Sequence, residues 1–445
     1  MTTLLNPKQK YALDCMKKGA NVFLTGPGGV GKTLVIKLFA DWALNEKYKI
    51  FDNPVAITST TGASAVLIGG TTLHSFAGIG LGEKSVMELV EAINKKFYIK
   101  RRWMRTKVLI IDEVSMLKPE LFEKLEEIAR IMKRSHKVFG GIQVILSADF
   151  AQLPPPNMTQ FCFESELWDK VVDGQNIYLK EIMRQDDIEF QNCLNEIRLG
   201  VCSDVSKKLL EARVGIKLEN DFGVTPTMLY SVNKKVDAIN NKYLKELLDA
   251  GNENHVYTMN KTVRGATELE IKPNLLPVIE KMVEDVPAEK TLHLAIGSQV
   301  MVIINNKEKQ LVNGSRGVVS GFETGMPMVT FLDGRVLRMG YHTWELDVTE
   351  TIKVDVAQIP MKLSNCQTIH KGQGMSIDYV RTSIDSSIFE YGQAYTALSR
   401  CRNLQGLTLD KFDQSVIKCH PKVKEFYEKI ENSKKKTIDD YMFSK

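Results

Sequence analysis

The chain is poor in the residues that mark stapled or metal-built folds. Its seven cysteines, Cys15, Cys162, Cys193, Cys202, Cys366, Cys401 and Cys419, are scattered, odd in number and form no C-x-x-C pair. That excludes a disulfide framework or cysteine-rich zinc site and fits reduced thiols. The seven histidines form no metal-ligand pattern either. No apolar run reaches the roughly 20 residues of a membrane span, so no membrane is expected as a partner. Met1-Thr2-Thr3-Leu4-Leu5 lacks the basic and long apolar regions of a secretory signal and the Arg-rich pattern of a transit peptide, so the expected location is intracellular and soluble. Neither sign of charge dominates: 59 Lys and Arg against 54 Asp and Glu leave +5, which permits nucleic acid as a partner without demanding it. Hydrophobic content of 43% is ordinary for a globular chain, and 445 residues make room for two to four domains.

What is present starts with Gly26-Pro27-Gly28-Gly29-Val30-Gly31-Lys32-Thr33, which fits G-x-x-x-x-G-K-[ST]. An apolar run, 21–25, precedes it and a helix-like run, 34–43, follows. In that context glycines let successive N–H groups curl around phosphate oxygens, Lys32 faces the β- and γ-phosphates, and the Thr33 hydroxyl is a Mg²⁺ ligand. The helix N-terminus adds favourable partial charge for an anion. The expected ligand is a nucleoside triphosphate.

The first half alternates strands and helices. Strands are expected at 21–25, 54–59, 108–112 and 142–148, apolar throughout as parallel strands covered on both faces are. Leu117, Leu121, Leu125, Ile128 and Met132 recur at helical spacing, with Pro119 suited to a first turn. The fold class is α/β of the P-loop type. Strand 108–111 runs into Asp112-Glu113. In a P-loop protein Asp112 is placed to hold Mg²⁺ and Glu113 to orient and deprotonate the attacking water. Strand 142–147 leads to Gln152, a neutral donor expected at the same sheet edge, where such a group senses a γ-phosphate.

Residues 71–107 interrupt this rhythm. The stretch 71–82 reads as a loop carrying His74 and Phe76 among glycines. The stretch 95–107 interleaves Lys95, Lys96, Lys100, Arg101, Arg102 and Arg105 with Phe97, Tyr98 and Trp103. It has two readings of equal weight: a surface where aromatics stack bases and cations hold phosphates, or a charged helix face with Trp103 packed under it. Further on, 227–231 reads as a strand and 233–248 as a helix, while 250–290 shows little pattern. Strands are expected at 294–304, 314–322, 328–332 and 335–339, the last two joined by the tight-turn signal Asp333-Gly334. These suggest a small β-barrel. The α/β pattern returns from Pro360, with a helix over 392–402 that ends in Arg400 and Arg402. Arg400 reads either as a cation at a helix C-terminus or as a guanidinium that stabilises phosphoryl-transfer charge.

The order of these motifs resembles the petite-integration-frequency (PIF-one) DNA helicases of superfamily one, near the RecD and Dda branch. The resemblance covers about 4–412. It is carried by Leu5 to Gln9 as a Q motif, Thr60-Thr61-Gly62-Ala63, Thr72 to Gly78, Asp112 to Met116, Phe139-Gly140-Gly141 with Asp149 to Pro155, Phe163 to Trp168, Met183-Arg184-Gln185, Val312 to Gly317, Ile369 to Met375 and Ala397 to Arg400. It implies two RecA-like lobes, 1–70 with 105–185 and 186–290 with 357–431. It further implies a wedge insertion at 71–104, a β-barrel insertion at 291–356 and a basic flexible tail at 432–445.

The implied activity is ATP- and Mg²⁺-dependent 5′-to-3′ translocation on single-stranded DNA, with unwinding of tailed or forked duplexes. The alternative is a nucleic-acid-dependent ATPase that does not unwind, an RNA translocase or a protein-stripping remodeller. By motif, Gln9, Gly26, Gly28, Gly29, Gly31, Lys32, Thr33 and Gln373 are implied in ATP binding, and Thr33 and Asp112 in metal binding. Lys32, Glu113, Gln152, Arg184 and Arg400 are implied in catalysis, the last two contacting the γ-phosphate from beyond the first lobe. Thr61, His74, Phe76, Asn313, His370 and Lys371 are implied in DNA contact. Ala148 and Ala151 replace the more usual glycine and phenylalanine of Gly-Asp-Phe-Phe-Gln, Gly372 the serine of His-Lys-Ser-Gln-Gly, and Ser364-Asn365-Cys366 an Ala-aromatic-Ala; none removes a catalytic group. A core of this length is similar to bacterial, phage or large-virus members, which implies a bacterial cytoplasm or an infected cell. Ile438 and Tyr441-Met442 have the spacing of a sliding-clamp peptide within 434–445, although Lys435 stands where glutamine is usual; a frayed basic terminus is the alternative.

Overall fold

The computed structural model describes residues 5–154, 159–181, 187–231, 236–265, 275–306, 308–348, 352–370 and 375–442. Two compact units emerge. The first takes the chain up to Phe150, 154–184 and 421 onward; the second takes Ala151–Leu153 and 185–420.

The first unit is built on a six-stranded parallel sheet of β1 (Val22–Thr25), β2 (Val55–Ser59), β3 (Thr71–Thr72), β4 (Val108–Asp112), β5 (Gln143–Ala148) and β6 (Asn176–Tyr178), in the order β3-β2-β4-β5-β1-β6. β1, β4 and β5 are buried along their whole length, which is why they read as predominantly apolar, non-alternating runs. Helix α1 (Pro7–Lys17) begins in a capping box. Asn6 Oδ1 accepts from Gln9 N at 2.8 Å, Gln9 Oε1 accepts from Asn6 N at 3.0 Å, and Pro7 fills the first turn. Helix α2 (Lys32–Trp42) follows the Gly-rich loop, and α3 (Gly62–Ile68) follows β2.

The stretch read as a loop is instead β3 followed by a short helix, α4 (Leu73–Ala77), capped by Thr72. Then come α5 (Val86–Asn94), with a Ser85–Glu88 capping box, and α6 (Phe97–Arg105). Of the two readings of the basic run, the packed helix is the one found. Trp103 is fully buried against Phe76, ring centroids 5.2 Å apart, and its Nε1 donates to Ala77 O at 3.1 Å. Three of its cations are held locally: Arg101 and Arg105 pair with Asp52, and Arg102 Nη1 donates to Ser75 O and Phe76 O. Helix α7 (Pro119–Lys133) has Pro119 in its first turn as expected, and it buries Phe122, Leu125, Ile128, Ala129 and Met132.

The chain returns to this unit in a last helix, Pro421–Met442. Val423, Phe426, Tyr427 and Ile430 share one face at the i, i+3, i+4, i+7 spacing. Phe426 stacks on Phe163 at 4.1 Å and stands among Phe23, Phe150 and Trp168. Ion pairs Lys180–Glu431 and Lys429–Asp169 flank it. One expectation is corrected here. Residues 421–431 belong with the first unit and not the second, because their apolar face is matched by the aromatics of 150–168. The chain past 432 continues as helix to Met442, since nothing after Pro421 is Gly or Pro and Lys and Glu favour helix.

The second unit has a four-stranded parallel sheet, in the order Cys366–Thr368, Thr227–Tyr230, Val380–Ile384, Leu407–Phe412. Helices Ile188–Arg198 and Val236–Asp249 belong to it. Its antiparallel part starts before residue 291. Asn254–Thr258 pairs with Thr291–Ala295, and Asn260–Arg264 joins Lys353–Gln358 and His342–Asp347. A five-stranded sheet is formed by Val336–Arg338, Met326–Phe331, Arg316–Glu323, Gln299–Val302 and Met361–Leu363. The expected single strand 294–304 is split at Gly297, whose φ of 92° no ordinary strand residue adopts. The Asp333-Gly334 hairpin is present, with Thr330 opposite Val336.

Candidate active site

The carboxyl ends of β1, β4 and β5 carry the first unit's charged chemistry, where parallel α/β sheets hold their ligands. The loop after β1 is shaped by glycine. Gly26 has φ 144° and no room for a Cβ, which would lie 2.1 Å from Leu179 O. At Gly31, φ 82°, a Cβ would meet Gln9 Nε2 at 2.5 Å. Lys32 Nζ donates to Gly26 O at 2.6 Å and Pro27 O at 3.0 Å, which holds the ammonium over the loop. Gln9 is buried, and its Nε2 donates to Val30 O at 2.9 Å. The same carboxamide therefore caps α1 and braces the loop.

Asp112 ends β4 opposite Ser59 of β2. Burial pushes its carboxyl above the usual range; the Ser147 hydroxyl, the Lys32 ammonium and the Glu113 backbone N–H pull it back. Ser147 Oγ itself closes no hydrogen bond of good geometry. Glu113 follows in the left-handed region, φ 54°, ψ 40°, an uncommon conformation for a residue with a side chain. Thr60 Oγ1 donates to Glu113 O at 2.8 Å and Ser59 Oγ to Asp112 O at 3.2 Å, which fix that turn. Lys32 and Asp112 are thus brought together, with Thr33 on the first turn of α2.

Ala151–Leu153, which carries Gln152, groups with the second unit, where Leu153 N donates to Thr396 Oγ1 at 2.9 Å. Gln152 is buried and its Oε1 accepts no hydrogen bond. In the same unit Arg400 is 3% exposed. Its Nε donates to Thr396 O at 3.1 Å, Nη1 to Met375 O at 3.4 Å and Nη2 to Ser399 Oγ at 3.0 Å. Asn313 Oδ1 and His370 Nε2 are buried without a hydrogen bond. Gly314, beside Asn313, has no room for a Cβ, which would sit 1.9 Å from Ser376 O.

Thr61 caps α3, its Oγ1 accepting from Ser64 N at 3.3 Å. His74 is half-buried on α4. Phe76 is a correction: expected to meet DNA, it is 3% exposed and committed to Trp103, so no base reaches its ring. Arg184, Lys371 and Gln373 lie outside the described residues. Two groups escaped the sequence reading. Arg316 is fully buried, its guanidinium lowered to about 9 by burial, with Nη2 donating to Thr225 O at 2.6 Å. It lies inside the Val312 to Gly317 motif, from which the sequence reading gave a role to Asn313 alone. Tyr427 is the other; its signal was the apolar spacing of 423–430.

Residues 4–208 match the model of a family described as PIF1-like helicase. The chain is 37% identical over 450 residues to the ATP-dependent DNA helicase PIF1 of Xenopus laevis, covering 98% of this chain and 67% of that one. It spans about two thirds of the length of the vertebrate relatives it matches. The crystal structure of a Pif1 helicase from Candida albicans is 34% identical, with TM-score 0.74, covering 96% of this chain and 100% of that one. A Bacteroides Pif1 helicase in complex with ADP-AlF3 and single-stranded DNA is 26% identical, with TM-score 0.61, covering 97% and 98%.

Proposed function

This chain belongs to the PIF1-like helicases, and we propose that it is an ATP-dependent DNA helicase that moves 5′ to 3′ along a single strand and unwinds tailed or forked duplexes. The observation that carries this reading is the loop before α2, with the Lys32 ammonium held over its carbonyls and felt by the buried Asp112 carboxylate. Such an arrangement binds and polarises a triphosphate.

The buried carboxylate, destabilised in its charged form and only partly offset by Lys32, fits a cation neighbour. Thr33 and Asp112 are the residues that would hold Mg²⁺, which neutralises charge on the β- and γ-oxygens. Lys32 reaches the same oxygens, and Glu113 takes the proton of the attacking water. Gln9 together with Gly26, Gly28, Gly29 and Gly31 seats the nucleotide, and Gln373 contributes to that seat. Gln152, Arg184 and Arg400 meet the γ-phosphate. Thr61, His74, Asn313, His370 and Lys371 grip the strand. The unpaired buried atoms of Gln152, Asn313 and His370 support those roles, since such atoms in a native fold call for a partner. Residues 71–104 part the duplex and the antiparallel sheets brace the strand. Residues 434–445 would bind a sliding clamp. Work on DNA would be done in an intracellular, DNA-containing compartment; among the described residues no helix is long and apolar enough to cross a membrane.

The test is phosphate release with and without single-stranded DNA, beside unwinding of 5′-tailed and 3′-tailed duplexes and their RNA counterparts. DNA-stimulated release with opening of the 5′-tailed DNA duplex alone is expected. Stimulated release without any unwinding overturns the helicase reading in favour of a translocase.

A further inference from the structure

The last helix brings a tyrosine hydroxyl to the ends of the two strands that lead into the nucleotide chemistry. Tyr427 is 2% exposed, and its ring lies 5.4 Å from that of Tyr178. Its Oη is 2.8 Å from Thr25 Oγ1, 3.0 Å from Phe150 N and 3.1 Å from Asp149 Oδ1. A phenol has one proton to donate and two lone pairs. The assignment that uses all three has Oη donating to Asp149 Oδ1 and accepting from Phe150 N and the Thr25 hydroxyl. Nothing is left over, and all four groups are buried.

The partners matter by their place in the chain. Thr25 is the last residue of β1, immediately before Gly26, whose carbonyl holds Lys32 Nζ. Asp149 and Phe150 directly follow β5, which lies beside β1 with Ala148 opposite Thr25. Phe150 is also where the chain first leaves the first unit, one residue before the Ala151–Leu153 segment that carries Gln152; after a second stay over 154–184 it comes back for the last time at Pro421, six residues before Tyr427. One hydroxyl therefore ties the start of the phosphate loop to both a departing and a returning strand of chain, all inside the first unit. Packing alone does not need this oxygen, because phenylalanine at 427 would fill the same aromatic site.

We propose that Tyr427 is a positioning residue for ATP hydrolysis, fixing the start of the phosphate loop at Thr25 and the base of the Gln152 segment at Phe150 through its hydroxyl. The inference rests on the ATPase reading above. Its strain would fall on turnover rather than on nucleotide capture, because the loop's own glycines, Lys32 and Gln9 keep their contacts without it.

The experiment compares wild type, Tyr427→Phe and Phe426→Leu in DNA-stimulated phosphate release over a range of ATP concentrations, with melting temperatures measured in parallel. For Tyr427→Phe a fall in kcat of at least fivefold is expected, with KM for ATP within threefold of wild type. Phe426→Leu, which loosens the same helix without touching the hydroxyl, is expected to lower the melting temperature and leave kcat unchanged at a temperature where it stays folded. Equal kcat for Tyr427→Phe and wild type overturns the proposal, as does a kcat loss in Phe426→Leu that matches it. If Tyr427→Phe does not fold, Thr25→Val removes one of the three partners and is read the same way: lowered kcat at constant KM supports the tie, unchanged kcat refutes it. A wild type that shows no stimulated release instead refutes the ATPase reading, independently of Tyr427.

Discussion

Replacing Trp103 by phenylalanine separates a core helix from a nucleic-acid platform. The indole is fully buried, stands 5.2 Å from the Phe76 ring and donates its only polar hydrogen to Ala77 O. Trp103→Phe keeps an aromatic in the slot but leaves that carbonyl without its donor, which costs about 1–3 kcal/mol. Truncation to alanine would add the lost ring and reach about 3–5 kcal/mol. In a unit of roughly 200 residues each kcal/mol lowers the melting temperature by about 2–4 °C. Trp103→Phe should therefore melt about 2–12 °C lower, and Trp103→Ala considerably lower still. Circular dichroism gives the melting temperature without relying on the indole's own fluorescence. Anisotropy of a labelled oligonucleotide, taken well below the transition, gives the affinity for a single strand, which should change by less than twofold. An unchanged melting temperature with tenfold weaker binding would refute the reasoning and return the ring to a base-stacking role.

Lys32→Ala removes the ammonium held over the phosphate loop. Phosphate release should fall to about 1% or less, the scale of losing a preorganised donor to the transition state, measured with and without DNA. Arg400→Ala should lower kcat by about 10³-fold or more if the guanidinium acts on the transferring phosphate, while a fluorescent ATP analogue still binds. Because Arg400 also donates to Thr396 O and Met375 O, a drop in melting temperature is expected as well, and normal turnover would refute the catalytic role. Deleting 434–445 should abolish capture by a sliding clamp in a pull-down and leave DNA-stimulated phosphate release within twofold; unchanged capture ends the clamp idea.

The parts legible in the sequence are those whose cause is local. A strand covered on both faces is predominantly apolar and does not alternate, so β1, β4 and β5 announce themselves. A phosphate loop needs glycine where a Cβ has no room, as at Gly26, and a cation next to a helix start, so its pattern survives in one dimension. Pro119 marks the first turn of α7 for the same kind of reason. β6 was missed because three residues are too few to show a period.

Phe76 shows the other limit. Among glycines and beside His74 it has the look of an exposed ring, and the ring it packs against lies more than twenty residues on, in Trp103 of α6. The helix Pro421–Met442 repeats the lesson at a distance of hundreds of residues. The spacing of Val423, Phe426, Tyr427 and Ile430 says that one face wants burial, but only the aromatics at 150–168 say which unit buries it. The same holds for chemistry. An isolated tyrosine seven residues into a helix carries no mark of function, and its three hydrogen bonds become a reason to test it only once Thr25, Asp149 and Phe150 have been brought to one point. Residues that touch a ligand tend to be spelled out by motif, because ligand chemistry restricts them one at a time. Residues that hold those in place are restricted by neighbours that any fold-compatible sequence can supply, so they are found by following hydrogen bonds outward from the site.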